Sequence, residues 1–241
     1  MIDFRKRAWL PEKMDDLHLE EKELKRALAD IRRVNRLLGG HAASLSGLQP
    51  YLSHADPRPL KLVDLGCGDG AFLRVLATRC RSLGIKAELI GWDMNPKSLE
   101  MALNASTGFP EIRYECHNVL DFPALPGNSL VVCNLFLHHF NDQDIVCLLR
   151  NWIQQRPLSI VINDLHRHSL AYYLFRLFGA IFMKSGVARH DGAASIRRAF
   201  SKNDIMRIMA ELPDTTSSIR WRWAFRWLWC IEPNADRYAR G

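Results

Sequence analysis

No stretch of about 18 apolar residues occurs in the sequence, so no transmembrane helix is expected. The opening residues, Met1 to Glu12, are charged and lack the apolar segment of a secretory leader, which points to the cytoplasm. The six cysteines, at 67, 80, 116, 133, 147 and 230, contain no Cys-x-x-Cys pair and no regular spacing. They read as small buried hydrophobes in a reducing compartment, with no metal site and no disulfide framework expected. Internal repeats and low-complexity segments are also missing. What remains is an ordinary globular composition, 241 residues with 48% hydrophobic and 24% charged, enough for a self-supporting core. The formal net charge of +7 would favour anionic surfaces, nucleic acid or lipid headgroups, without choosing between them. A merely basic soluble enzyme is the plainer reading.

Residues 12–50 read as helical. Leu24, Leu28, Ile31 and Leu38 recur on one face, and Glu21 with Lys25 forms an i,i+4 pair on another. Asn35 interrupts the apolar stripe, either as a satisfied core amide or as a ligand contact. Gly39-Gly40 ends the segment, a second helix follows over about 41–53, and Asp56-Pro57-Arg58-Pro59 reads as a linker. Strands and helices then alternate. The run 60–65 suits a parallel strand buried on both faces, and Phe72, Leu76, Cys80 and Leu83 mark a helix face. Strands are predicted at 87–92, 112–116, 130–135 and 158–162. Helices are predicted at 96–105, with Pro96 in the first turn, and around Ile145, Leu148, Leu149, Trp152 and Ile153.

Such alternation implies βαβ units with right-handed crossovers. Beyond it lie an apolar segment at 170–184, a helix at 201–212 and a tryptophan-rich stretch at 217–231 that alternates in twos. The expected architecture is α/β, a doubly wound, mainly parallel seven-stranded sheet with an N-terminal helical extension and an antiparallel C-terminal edge. Residues 1–55 would form a helical cap and 56–241 the main domain.

The segment LVDLGCGDG (62–70) puts Gly66, Gly68 and Gly70 between the first strand and its helix. Glycines there let the backbone turn tightly and approach a ligand. Dinucleotide sites prefer G-x-G-x-x-G with a pyrophosphate on the helix N-terminus. Here the spacing is G-x-G-x-G, flanked by Asp64 and Asp69. Two carboxylates would repel a pyrophosphate but suit a ligand bearing ammonium and sulfonium charges. Asp93, closing the second strand, could accept both ribose hydroxyls of an adenosine or cap the helix opening at Pro96. Asn118 could meet an adenine amino group or simply form a turn.

With these four motifs in order, residues 60–164 resemble the class I S-adenosyl-L-methionine-dependent methyltransferase superfamily. The likeness is greatest to ubiquinone/menaquinone-type and polyketide-associated small-molecule methyltransferases, which often carry a segment like VVCNLFLHHF (131–140). The stretches MDD…VNRLLGG and RHDG…SIRRAF are similar to bacterial members, less specifically. The resemblance implies S-adenosyl-L-methionine as cofactor. Asp64 and the loop Gly66, Cys67, Gly68 and Gly70 would hold its methionine portion. Asp93 and Met94 would hold ribose and adenine, Asn118 and Val119 would clamp the adenine, and Asn134 and Leu135 would line the approach to the methyl group. Cys67 needs no reactive role in that pattern.

Methyl transfer is an in-line displacement that asks the protein mainly to align the reactants and exclude water. A phenol or acidic carbon as acceptor would also need a general base. Candidates beyond the strand ends are His138 and His139, then Asp164, His166 and His168, and His190 with Asp191, although adjacent residues seldom pair directly. His139 and His166 are the leading choices. The Asn/Asp-Pro-Pro-Tyr/Phe and Pro-Cys signatures of nucleic-acid methylation are missing, so nucleic acid is not the expected partner. The segment 170–184 could wall an apolar acceptor pocket, lie on a membrane surface as a peripheral contact, or be a core helix. The tail Trp221, Arg222, Trp223, Arg226 and Trp227 could line the same pocket, with tryptophans and arginines on opposite faces. The expected substrate is therefore a small lipophilic or aromatic acceptor (phenol, quinone or polyketide-like), methylated on oxygen or carbon. A basic RNA-modifying methyltransferase and a cofactor-binding protein without catalysis are the alternatives.

Overall fold

The structure is a computed structural model that describes residues 2–53, 58–212 and 214–234. The expected division at 55/56 and the linker residues Asp56 and Pro57 lie outside the described residues. Two helices open the chain, α1 (Glu21–Leu37) and α2 (Gly40–Leu52), separated by Gly39 in the left-handed region at φ 70°. Alternating elements follow: β1 (Leu60–Leu65), α3 (Ala71–Ser82), β2 (Ala87–Asp93), α4 (Pro96–Ala105), β3 (Ile112–Cys116), β4 (Ser129–Asn134), α5 (Asp142–Gln154) and β5 (Ser159–Leu165). The chain continues through α6 (Ser169–Phe182), α7 (Gly186–Arg198), α8 (Lys202–Ala210), β6 (Thr215–Arg222) and β7 (Arg226–Pro233).

The sheet runs β3-β2-β1-β4-β5-β7-β6, parallel as far as β5 and antiparallel from there. The expected seven-stranded, doubly wound sheet with an antiparallel edge is what forms. Its parallel strands are buried on both faces, so successive residues feed different cores. Val63, Val131 and Ile160 pack with Leu148, Trp152 and Ile205 of α5 and α8. Leu62, Leu130 and Val161 pack with Leu48 of α2 and with Leu73 and Leu76 of α3. Helix α2 thus sits against the same core as the sheet. Among the described residues no helix is long and apolar enough to cross a membrane.

Two expectations differ from the structure. Leu83, placed on a buried face, follows the last turn of α3 and is exposed. Helix α7 went unforeseen because its inward face mixes Val187, Ala188 and Ala194 with buried Asp191, Ser195 and Arg198, which erases the apolar period. The tail does separate tryptophan from arginine by face, Trp221, Trp227 and Trp229 on one side and Arg220, Arg222 and Arg226 on the other, but β7 is not half-buried. Trp227 and Trp229 pack on the α5 and α8 core and Leu228 on the α2 and α3 core, and Arg226 is buried as well. Of the cysteines, Cys67, Cys80 and Cys133 are buried, while Cys116 and Cys147 are exposed, and all six are free.

Candidate active site

The glycine loop is bent between β1 and α3 by three successive glycines at positive φ: 68° at Gly66, 54° at Gly68 and 71° at Gly70. A side chain on Gly66 would strike the Phe136 ring, and one on Gly70 would strike Tyr114. The loop is stitched to the end of β2, since Gly66 N and Cys67 N both donate to Trp92 O, at 2.8 and 3.0 Å. Asp93 continues that stitch. Its Oδ2 accepts from Gly68 N at 2.9 Å and its Oδ1 from Asn95 N at 2.9 Å. Helix α4 is capped by Asn95, which accepts from Lys97 N at 3.0 Å, so Asp93 is not the cap that the sequence also allowed. A carboxylate has about four acceptor sites, and two remain for a ligand. Burial raises the Asp93 pKa. Burial also pushes the Cys67 thiol well above its ordinary range, in keeping with no reactive role. Asp69 is ion-paired with Arg32 of α1, so one of the two loop charges is already answered.

Beneath the loop lies a buried polar chain. Asn134 Nδ2 donates to Asp64 Oδ1 at 3.2 Å, Ser44 hydrogen-bonds Asn134, and Asn163 Nδ2 donates to Ser44 Oγ at 2.8 Å and Gly40 O at 2.9 Å. Burial, with Asp93 adding repulsion against the opposing Asn134 hydrogen bond, pushes the Asp64 pKa up to about 8. A cation next to Asp64 would favour its charged form.

The histidines after β4 divide into two kinds. His138 is enclosed. Its Nδ1 lies 2.7 Å from Asp164 Oδ1, its backbone N donates to Asp164 Oδ2 at 3.2 Å, and its Nε2 faces Glu12 Oε1 at 3.5 Å. Burial alone would lower its pKa, but the Asp164 and Glu12 charges prevail and raise it to about 9. His139 is partly open, with Nδ1 3.0 Å from Asp15 Oδ1 and Nε2 3.8 Å from Glu12 Oε2. Glu12, His138 and His139 offer three ligand-type atoms within 4.8 Å of one another. Glu12 also accepts from Ser195 Oγ at 2.9 Å and stands 3.6 Å from Arg198, so its charge has partners without a metal.

His166 Nδ1 accepts from Trp221 Nε1 at 3.3 Å, which leaves the proton of the neutral ring on Nε2. Burial, then the neighbouring charges of His168 and Arg167, hold its pKa down to about 4. His168 Nδ1 caps α6 by accepting from Leu170 N at 3.1 Å. His190 and Asp191 do pair directly, at 2.8 Å, contrary to expectation. Asp191 also accepts from Lys13 N and Met14 N, both at 2.9 Å.

One cavity of about 910 Å³ gathers most of these groups. Gly66, Cys67, Gly68, Asp93, Met94, Asn134 and Leu135 line it, as do His139 and His166. Four other expected residues are not among its lining. Asp64 lies behind Asn134, and Gly70 lies behind the loop against Tyr114. Asn118 accepts from Leu120 N at 3.1 Å and so forms a turn, with Val119 buried beside it. Of the tail, Trp223 and Arg226 line the cavity, whereas Trp221, Arg222 and Trp227 do not. Its far wall is apolar, formed by Leu174, Phe175, Phe178 and Ile181 of α6 and by Phe225. Sequence reading missed Glu12, Asp15 and the burial of Arg226. The first two stand in a charged stretch without periodicity, and an arginine in an alternating strand ordinarily faces solvent. Asn35, noted as a break in an apolar stripe, proves to accept from Arg226.

Residues 62–155 match the model of a family described as a methyltransferase domain. No curated protein sequence matches the chain. Among solved structures, the plantazolicin methyltransferase BpumL in complex with SAH is 14% identical, with a TM-score of 0.61 over 92% of this chain and 98% of that one. A Methanococcus maripaludis protein, itself only provisionally assigned as an S-adenosyl-L-methionine-dependent methyltransferase, is 13% identical, with a TM-score of 0.64 over 97% and 100%. Human N-acetylserotonin methyltransferase in complex with SAM is 15% identical, with a TM-score of 0.63 over 94% of this chain and 61% of that one. At such identities the likeness is one of fold. Residues 62–155 are thus similar to a methyltransferase-domain family and the chain shares the fold of these solved structures, family match and fold agreeing over the β3-β2-β1-β4 half of the sheet that carries the glycine loop.

Proposed function

We propose that the protein transfers a methyl group from S-adenosyl-L-methionine to oxygen or carbon of a small lipophilic or aromatic acceptor, of the phenol, quinone or polyketide-like kind. The observation that carries this reading is the continuity of one cavity from the loop and Asp93 to the apolar wall of α6. Its volume falls in the range that suits a nucleoside with a modest second ligand. The residues present fit the cofactor. Asp93 keeps lone pairs for the ribose, the exposed Met94 offers apolar surface to the adenine, and Gly66, Cys67 and Gly68 present backbone along the same wall. Asn134 and Leu135 face the methionine end, with Asp64 acting through Asn134. Bound there, the sulfonium supplies a methyl carbon already activated for displacement.

His139 is the general base in this reading. Asp15 fixes its ring through Nδ1, which leaves Nε2 to take a proton. His166, with its Nε2 protonated by the Trp221 contact, is a hydrogen-bond donor to the acceptor instead. Leu177 and Ile181 of α6 line the cavity while remaining 62% and 64% exposed. They form an apolar rim by which a lipophilic acceptor enters, and that face suits peripheral contact with a membrane surface. The test is mass-spectrometric detection of methyl transfer to a panel of phenols, hydroxyquinones and 1,3-diketones. A methylated product lost on His139→Ala supports the reading. S-adenosylhomocysteine binding with methylation of RNA alone overturns the acceptor class.

A further inference from the structure

Arg226 opens β7 opposite Leu165 of β5 and is only 2% exposed. Its Nη2 donates to Asn35 Oδ1 at 3.0 Å, but Nε and Nη1 find no acceptor, and among the described residues no carboxylate pairs with it. Burial lowers its pKa, with the Asp164 charge opposing from beyond ion-pair distance, only to about 10, so the guanidinium is a cation at neutral pH. A buried, unpaired charge of this kind is costly to keep. A structural role would call for acceptors at the two free N–H groups, and the fold supplies none.

What surrounds Arg226 is prepared for an anion. It lines the cavity next to Phe225. It lies against the start of α2, where a side chain on Gly40 would come within 3.0 Å of Nη2 and the helix has no side-chain cap. Helix N-termini favour negative charge. His41 completes that corner. Burial, then repulsion by Arg226 and Arg74, lowers its pKa to about 4, so it adds no second cation at neutral pH. The second hydrogen of Nη2 and the N–H parallel to it, Nε or Nη1 according to which hydrogen Asn35 takes, make a two-pronged donor, the geometry a carboxylate accepts.

Position identifies whose carboxylate it would be. β7 lies three strands from β1 and two from β4, whose Asn134 is assigned to the methionine end, roughly 14 and 10 Å at the usual strand spacing. The glycine loop follows β1, and Asp93 ends β2 on the side away from β7. We propose that Arg226 anchors a carboxylate carried by the acceptor, so that the substrate is a lipophilic or aromatic acid. This rests on the methyltransferase reading above and narrows its acceptor class.

The experiment is calorimetric titration of 6-hydroxy-2-naphthoate and of its carboxamide into wild type, Arg226→Lys and Arg226→Met, with and without saturating S-adenosylhomocysteine. The acid is expected to bind wild type at least tenfold more tightly than the amide. That preference should disappear in Arg226→Met and survive in part in Arg226→Lys, while S-adenosylhomocysteine affinity stays within twofold in all three. Arg226→Met should fold and melt at or above the wild-type temperature, because an uncompensated buried charge has gone. Equal binding of acid and amide, or binding of neither, overturns the proposal. So does a loss of S-adenosylhomocysteine affinity in Arg226→Met with methylthioadenosine affinity unchanged, which would assign the arginine to the cofactor's amino-acid end. Failure of wild type to bind S-adenosylhomocysteine would sink the parent reading, and the acid preference measured without it would still decide the role of Arg226.

Discussion

His138 and Asp164 form a buried ion pair, Nδ1 to Oδ1 at 2.7 Å, with both side chains only 2% exposed. The pair joins the 3-10 turn after β4 to the end of β5, beneath the wall that carries His139.

Its contribution to stability depends on pH from both sides. The folded pKa of His138, about 9, exceeds the ordinary 6.5, so its stabilisation is full below pH 6.5 and is lost as pH rises through 9. Asp164 is held below its ordinary 3.8, so its share is present above that value and is lost as pH falls through the lowered one. Urea denaturation should therefore show greatest stability between about pH 4 and 6.5. The loss by pH 9 should be on the order of 3 kcal/mol, as the rise from 6.5 to about 9 implies. His138→Gln should flatten the alkaline slope. An unchanged slope would show that the pair carries no net energy.

Asp93 shapes the loop and is assigned the ribose, so its removal acts twice. Asp93→Ala withdraws the acceptor of Gly68 N. It should weaken S-adenosylhomocysteine binding ten- to a hundredfold, about 1.5–3 kcal/mol for hydrogen bonds to a charged group. Calorimetry reads this directly. Wild-type affinity in the variant would remove Asp93 from the site.

Gly66 and Gly84 share nearly the same positive φ, 68° and 69°, but not the same surroundings. A side chain on Gly66 strikes Phe136, whereas one on Gly84 has nothing within 4 Å. Gly84→Ala should cost about 1 kcal/mol from the left-handed conformation alone. Gly66→Ala should cost at least twice that and lose cofactor binding. Equal melting temperatures in the two variants would show that the Phe136 ring moves aside freely.

How far the sequence could be read follows from how local each signal is. Strand β1 was bounded correctly because six apolar-rich residues end at a glycine triplet, and helix α4 because Pro96 opens it. Those features are set by neighbours in the chain. The buried position of Arg226 depends on α1 and α2, whose Asn35 and Gly40 lie against it, and the partner of His139 is Asp15, well over a hundred residues away in sequence. The Asn118 turn shows the converse. The same residue type serves a turn and an adenine contact, and composition does not separate them.

The two histidines expected to carry chemistry differ in what a pH–rate profile would show. With its pKa near 4, His166 stays neutral over the whole working range, and a base at that position would hold kcat/KM level down to about pH 4. Its Nδ1 accepts from Trp221, and a donor at Nε2 cannot also take the acceptor's proton. His139→Ala should therefore reduce kcat/KM by 10²–10⁴, the usual worth of a positioned base. Asp15→Asn should cost less, because the ring would remain but lose its orienting charge. His166→Ala should cost less than tenfold. The reverse ranking, with a plateau persisting to pH 4 in the wild type, would move the proton transfer to His166 and leave His139 as a wall of the cavity.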